Sequence, residues 1–168
     1  MSTKTPSIKK RRSASSGFSA DTKGGVVIRI LDARPSGKRS ARGAIITSTA
    51  LVNAIQTGLP AEEIAHLKVA LGVTNDVLAK VLGVSNATLN RRDAGQNLSP
   101  AEGDRVVRLA RLLSQAKRVM GSLPAAQKWL ATPQFGLGGA IPLDFASTEV
   151  GGREVEDLLG RIETGVYA

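Results

Sequence analysis

The sequence predicts an all-α protein in which a helix-turn-helix domain and a small helical module follow a disordered basic N-terminal arm. Three observations carry that expectation. From Ile45 onward, apolar residues recur at helical spacing between Ser or Thr starts and Gly stops. Aromatic residues make up only 3% of the chain, so its core is expected from Leu, Val, Ile and Ala. Residues 1–43 hold 11 of the 23 Lys and Arg against two acids, Asp21 and Asp32, and lack the apolar surface to offset ordering entropy.

Taken in order, residues 1–25 read as a flexible segment containing the block KKRR at 9–12. The β-branched run at 26–31 reads as a short strand, and 34–42 as more flexible basic chain. Ser48 or Thr49 caps a helix that Gly58 ends. Pro60 starts the next, with Glu62 and Glu63 in its first turn and Gly72 after its last. Thr74 caps a helix over 75–82 closed by Gly83, and Ser85 caps one over 86–93 closed by Gly95. Ser99-Pro100 with Glu102 opens the longest helix, which runs to Met120 and stops at Gly121. Its residues Val106, Leu109, Ala110, Leu113, Ala116 and Met120 share a face, and Arg105, Arg108, Arg111 and Arg118 fall away from it as a basic back. Pro124 starts a helix through Trp129-Leu130, a glycine-rich turn follows, and Pro142 starts a short helix. Val155, Leu158, Leu159 and Ile162 form the apolar stripe of a last helix over 153–163, ended by Gly165. This punctuation divides the chain into an arm (1–43), a first helical domain (44–121) and a C-terminal module (122–168).

Composition excludes several classes of function. There is no cysteine, hence no disulfide, thiolate metal site or cysteine nucleophile. This fits a reducing cytoplasm, the expected location. No apolar run approaches the ~18 residues that span a bilayer, and the charged N-terminus has no apolar region behind it of the kind a secretory signal needs. His66 is the single histidine and has no ligand partner at metal-binding spacing. No catalytic set, cofactor or metal site is expected, and the chain does not read as an enzyme.

Residues 75–94, NDVLAKVLGVSNATLNRRDA, fit a helix-turn-helix. Ala79 supplies the small residue where two helices meet, and Gly83 the left-handed turn four residues later. Leu78, Leu82, Val84 and Leu89 take the internal positions. The second helix then presents Asn86, Ala87, Asn90 and Arg91, of which Asn and Arg are residue types suited to adenine and guanine edges in the major groove. Ser85 and Thr88 at its start suit a phosphate. Arg92 departs from the motif, which usually has an apolar residue there; it suits DNA or a pair with Glu102 or Asp104. A helical hairpin serving only dimerisation would have the same A-x-x-x-G spacing. The charges are polarised along the same line: residues 74–118 carry eight bases and four acids, and 121–168 three bases and six acids. A basic middle and an acidic end suit two different partners.

The residues Trp129-Leu130, Pro133, Leu137-Gly138-Gly139, Ile141-Pro142-Leu143, Gly151, Val155, Leu158-Leu159 and Ile162-Glu163-x-Gly165 closely resemble the toxin-binding domain of the Xre/MbcA/ParS-type antitoxins. The upstream runs GLPAEEIAHLKVALGV and LNRRDAGQNLSPAEGDRVVRLARL resemble that family's Xre-like helix-turn-helix domain, and the likeness covers about residues 46–167. The resemblance implies an antitoxin of a type II toxin–antitoxin pair. It would neutralise a RES-type toxin that depletes NAD, and would repress its own operon through operator DNA as a homodimer and in a higher toxin–antitoxin complex. Carried over residue by residue, the last helix and tail would meet the toxin through Arg153, Glu156, Leu159, Ile162, Glu163, Gly165, Val166 and Tyr167. Trp129, Gly138, Gly139 and Pro142 would shape the module. The alternative is a stand-alone helix-turn-helix transcriptional or nucleoid-associated regulator without a toxin. The KKRR arm lies outside the resemblance and suits phosphate tracking or a solvated tail. A membrane anchor is disfavoured, because no amphipathic helix accompanies it.

Overall fold

The computed structural model describes residues 25–32, 47–91 and 95–166. The expectations for the remainder of the basic arm, for Arg92 and for Tyr167 lie outside the described residues. Among the described residues there are nine α-helices and no strand. They are α1 (Val26–Asp32), α2 (Ser48–Thr57), α3 (Glu62–Leu71), α4 (Asn75–Leu82), α5 (Asn86–Asn90), α6 (Pro100–Met120), α7 (Leu123–Leu130), α8 (Pro142–Phe145) and α9 (Glu149–Thr164), with a single 3-10 turn at Phe135–Leu137.

Most boundaries follow from local chemistry. The hydroxyls of Thr47, Thr74, Ser85, Ser99, Ser122 and Thr148 each accept a hydrogen bond from a first-turn N–H of the helix that follows. Thr47 does so one residue ahead of the expected Ser48. At α6 the cap is reciprocal: Glu102 N donates to Ser99 Oγ, and Ser99 N donates to a carboxylate oxygen of Glu102. Gly72, Gly83, Gly121 and Gly165 end α3, α4, α6 and α9 in the left-handed conformation that glycine adopts without strain. Helix α5 is shorter than expected, its regular turn ending at Asn90 instead of at residue 93.

Helix α6 is the axle of the fold, packing against α1, α2, α3, α4, α7 and α9. Val106, Val107, Leu109, Ala110, Leu112, Leu113 and Ala116 are all buried, which is more than one helix face. The four arginines do fall outside the buried faces, but neighbours on so many sides leave α6 a narrow solvent face, and three of the four bond to groups around them. Arg105 Nη1 donates to the carbonyl of Leu82 at 2.8 Å, completing the C-terminus of α4. Arg108 lies 3.9 Å from Asp104, and Arg118 clasps Glu163 of α9. Of the four arginines, Arg111 stays exposed with no hydrogen bond or ion pair among the described residues.

The expected strand at 26–31 is helix α1. Val26, Val27 and Ile30 point inward at positions i, i+1 and i+4, a helical face that packs on α6 and α3. Its first N–H groups are met by a side chain from 37 residues away: Val26 N and Val27 N donate to the two carboxylate oxygens of Glu63 at 2.6 and 3.0 Å. At its other end Ser114 Oγ donates to the Ile30 carbonyl and Lys117 Nζ to that of Leu31. The β-branched propensity of the segment is overridden by tertiary capping at both ends.

The C-terminal helices fold back on the same axle. Gln115 Nε2 donates to the Glu156 carbonyl, and Gln127 Nε2 to that of Ala70. Gly151 is forced by the close approach of α9 to α8. A Cβ there would sit 1.9 Å from the Phe145 carbonyl oxygen, an approach only glycine permits. Lys80 of α4 pairs with Asp144 of α8 at 2.8 Å. With Arg118–Glu163, this means the basic middle and acidic end use part of their charge on one another.

Candidate functional site

Two surfaces at different places on the axle collect the candidate residues. The first is built by α4 and α5. Leu78, Ala79, Val81 and Leu82 anchor α4 in the core, and Leu89 packs α5 against it. Between the helices Gly83 turns at φ 64°, ψ 36°, and Val84 N donates back to the Ala79 carbonyl. This is a helix-turn-helix in which Ala79 and Gly83 have the roles their spacing implies. None of the five residues of α5 is buried, so the second helix is laid on the surface.

Ser85, Asn86, Thr88, Asn90 and Arg91 are all exposed along this helix or at its ends. Ser85 Oγ accepts from Thr88 N at 3.0 Å and lies 2.8 Å from the Thr88 hydroxyl, so both hydroxyls are held at the helix start. The two asparagines are bonded back to α4: Asn86 Nδ2 donates to Asp76 Oδ1, and Asn90 Oδ1 accepts from Asn75 Nδ2 at 3.1 Å. Sequence reasoning missed this polar clasp. Asp76 and Asn75 belong to the surface, and their signal was their place in the first turn of α4, facing the helix that follows. Arg91 has no such tie among the described residues. Among the described residues its guanidinium is exposed and uncommitted on this surface.

The second surface is built by the turn 131–141 and by α9. Val155, Leu158 and Leu159 bury one stripe of α9, and Thr148 caps its start through Gly151 N at 3.0 Å. Of the expected partner-contact residues, Arg153, Glu163, Gly165 and Val166 are exposed, and Glu156 and Ile162 are half-buried. Leu159 is corrected: at 0% exposure it lies in the core under α6 and fixes the helix, offering no surface of its own. Arg153 pairs with Glu149 one turn earlier at 2.6 Å. Glu163 receives a two-pronged bond from Arg118, Nε to Oε1 at 3.0 Å and Nη2 to Oε2 at 2.9 Å. That hydrogen bond holds the Glu163 carboxyl below its ordinary range, and its counterpart raises Arg118.

Trp129 is half-buried against the core, and Pro142 and Leu143 are buried. Gly138 and Gly139 both have positive φ and form a tight turn, with Gly139 N donating to the Gln134 carbonyl at 3.0 Å. Among the described residues no group of three or more His, Cys, Asp or Glu is placed to hold a metal ion. No described helix is long and apolar enough to cross a membrane.

Comparison with known proteins divides the chain near the middle of α6. Residues 50–111 match the antitoxin Xre-like helix-turn-helix domain, and residues 115–165 match the antitoxin Xre/MbcA/ParS C-terminal toxin-binding domain. A protein named antitoxin Xre from Yersinia enterocolitica is 30% identical over 122 residues, covering 71% of this chain and 82% of that one. The Prs ADP-ribosylating antitoxin of a Sphingobium species is 28% identical over 127 residues, covering 70% and 80%. Antitoxin Xre from Photorhabdus laumondii is 32% identical over 95 residues, covering 55% and 64%. With α4 and α5 laid out as a helix-turn-helix and α9 closing a separate surface, the chain belongs to the Xre family of antitoxins.

Proposed function

We propose that the chain binds and neutralises a RES-type toxin that depletes NAD, and represses its own operon by binding operator DNA as a homodimer. The observation that carries this reading is the separation of two partner surfaces on one axle: the exposed, unburied α5 with Arg91, and the acidic α9 with its tail. On the DNA side, Arg91 would read a base edge, Asn86 and Asn90 would exchange their bonds to α4 for bases, and Ser85 and Thr88 would meet phosphate. Arg92 would extend this set. On the protein side, Arg153, Glu156, Ile162, Glu163, Gly165, Val166 and Tyr167 would approach the toxin while Leu159 supports them from beneath.

The relative named for Prs ADP-ribosylation bears on the toxin's chemistry, because an ADP-ribosyl group is drawn from NAD. Co-expression with the product of the adjoining gene tests the proposal through growth and cellular NAD. Rescue of growth together with restored NAD supports it. Toxicity with NAD intact and ADP-ribose attached to a protein would instead indicate a transferring toxin. No rescue and no co-purification would overturn the antitoxin role proposed for this pair.

A further inference from the structure

The most exposed large apolar side chain described is not on α9. Phe135 stands at 101% of the exposure of a free residue, at the tip of the turn between α7 and α8. The chain has three phenylalanines, and it holds this one off its own core on an unusually well-fastened support. Gln134 N donates to the Ala140 carbonyl at 3.0 Å, closing the turn across its base. Gly138 N donates to the Phe135 carbonyl at 2.9 Å. The Gln134 side chain reaches back to the carbonyls of Trp129 and Thr132 at 3.2 and 2.9 Å. Gly136 then lets the turn lie directly on α9, since a Cβ there would come within 2.6 Å of Leu158 Cδ1. A mobile loop could fold such a ring away; this one keeps it in water.

We infer that Phe135 is the aromatic anchor of the toxin-binding domain, its ring entering an apolar pocket on the toxin whose rim is basic. The inference rests on reading residues 115–165 as the toxin-gripping end. A preorganised aromatic ring is the side chain that binds most per ordered residue, because its area is large and little freedom remains to be lost. The basic rim follows from charge. Around Leu158, where the turn touches α9, stand Glu154 one turn earlier and Asp157 beside it. Both are exposed, and neither has an ion pair among the described residues. Arg161 one turn later is the opposing cation, and it is half-buried. Two uncommitted carboxylates against one half-buried cation leave the stretch of α9 under the turn net negative, which a basic rim complements.

The test is the affinity of the full chain for the purified toxin of the adjoining gene, compared with Phe135→Ala and with Val69→Ala, an exposed apolar control on α3. Phe135→Ala should weaken binding about 30-fold or more, the size of a hot-spot truncation, while Val69→Ala changes nothing. The melting temperature should stay at the wild-type value, because the ring touches no core. Glu154→Gln with Asp157→Asn should slow association and flatten its salt dependence. Tight binding by wild type and Phe135→Ala alike overturns the anchor and leaves the toxin-binding reading intact. A change in self-association with unchanged toxin affinity overturns it in favour of a second copy of this chain. No binding by wild type overturns both.

Discussion

Glu63→Ala should loosen helix α1 from the rest of the molecule. The carboxylate is 3% exposed, and both its oxygens accept from the first N–H groups of α1. Burial of Val26, Val27 and Ile30 contributes about 6 kcal/mol, at roughly 2 for each side chain. Ordering the seven residues of α1 costs about 8 kcal/mol at slightly more than 1 per residue. These two nearly cancel, so docking rests on the bonds at the helix ends, of which the two charge-assisted ones contribute about 4 kcal/mol together. With the Ser114 and Lys117 bonds at its other end adding about 3 kcal/mol together, docking is favoured by about 5 kcal/mol, and losing the carboxylate removes most of that. Hydrogen exchange at Val26 and Val27 reads this directly, and tryptic cleavage after Arg29, inside α1, provides a second measure. In Glu63→Ala both should become fast while the amides of α6 stay protected. Glu63→Gln keeps one acceptor and should fall between. Exchange at Val26 and Val27 within threefold of wild type would refute the argument that this cap holds α1.

Three further outcomes follow from the two surfaces. Arg91→Ala should abolish operator binding in a gel shift and leave toxin neutralisation intact; an unchanged shift would show that α5 is not the reading helix. Truncation after Glu163 should weaken toxin inhibition and spare DNA binding, because it removes Val166 and the tail but keeps the Arg118 clasp; full inhibition by the shortened chain would take the tail out of the interface. The Glu163 carboxyl is held below its ordinary value near 4.5 by Arg118. The clasp is therefore complete above that pH and is lost as pH falls through the lower folded value. A side-chain NMR titration should find Glu163 below the ordinary carboxylate value, the gap should narrow in high salt, and Arg118→Ala should close it; an ordinary midpoint in the wild type would remove the clasp from the solution structure.

Many of the helix ends were readable in the chain because caps are local devices. Thr74, Ser85 and Ser99-Pro100-Glu102 act within three residues of themselves, and Gly83, Gly121 and Gly165 need only their own backbone freedom. The helix-turn-helix was legible for the same reason, since Ala79 and Gly83 are four residues apart and their geometry is set by one turn of helix. Likewise the spacing of Val155, Leu158, Leu159 and Ile162 declared an apolar stripe on α9, without saying which of the four would be covered.

What the chain order could not disclose depends on groups brought together from a distance. The run VVIRIL has strand propensity, and it becomes a helix because Glu63, Ser114 and Lys117 meet its ends. Arg105 and Arg118 look like a free basic face until α4 and α9 arrive to accept their hydrogen bonds. Leu159 looks as available as Ile162 until α6 closes over it. Phe135 was an unremarked letter in a glycine-rich turn, and only the packing of that turn on Leu158 leaves its ring in water. Helical periodicity and capping act over one turn and are written in neighbouring residues. Which cation is spent internally, and which ring is left outside, depends on contacts between segments tens of residues apart.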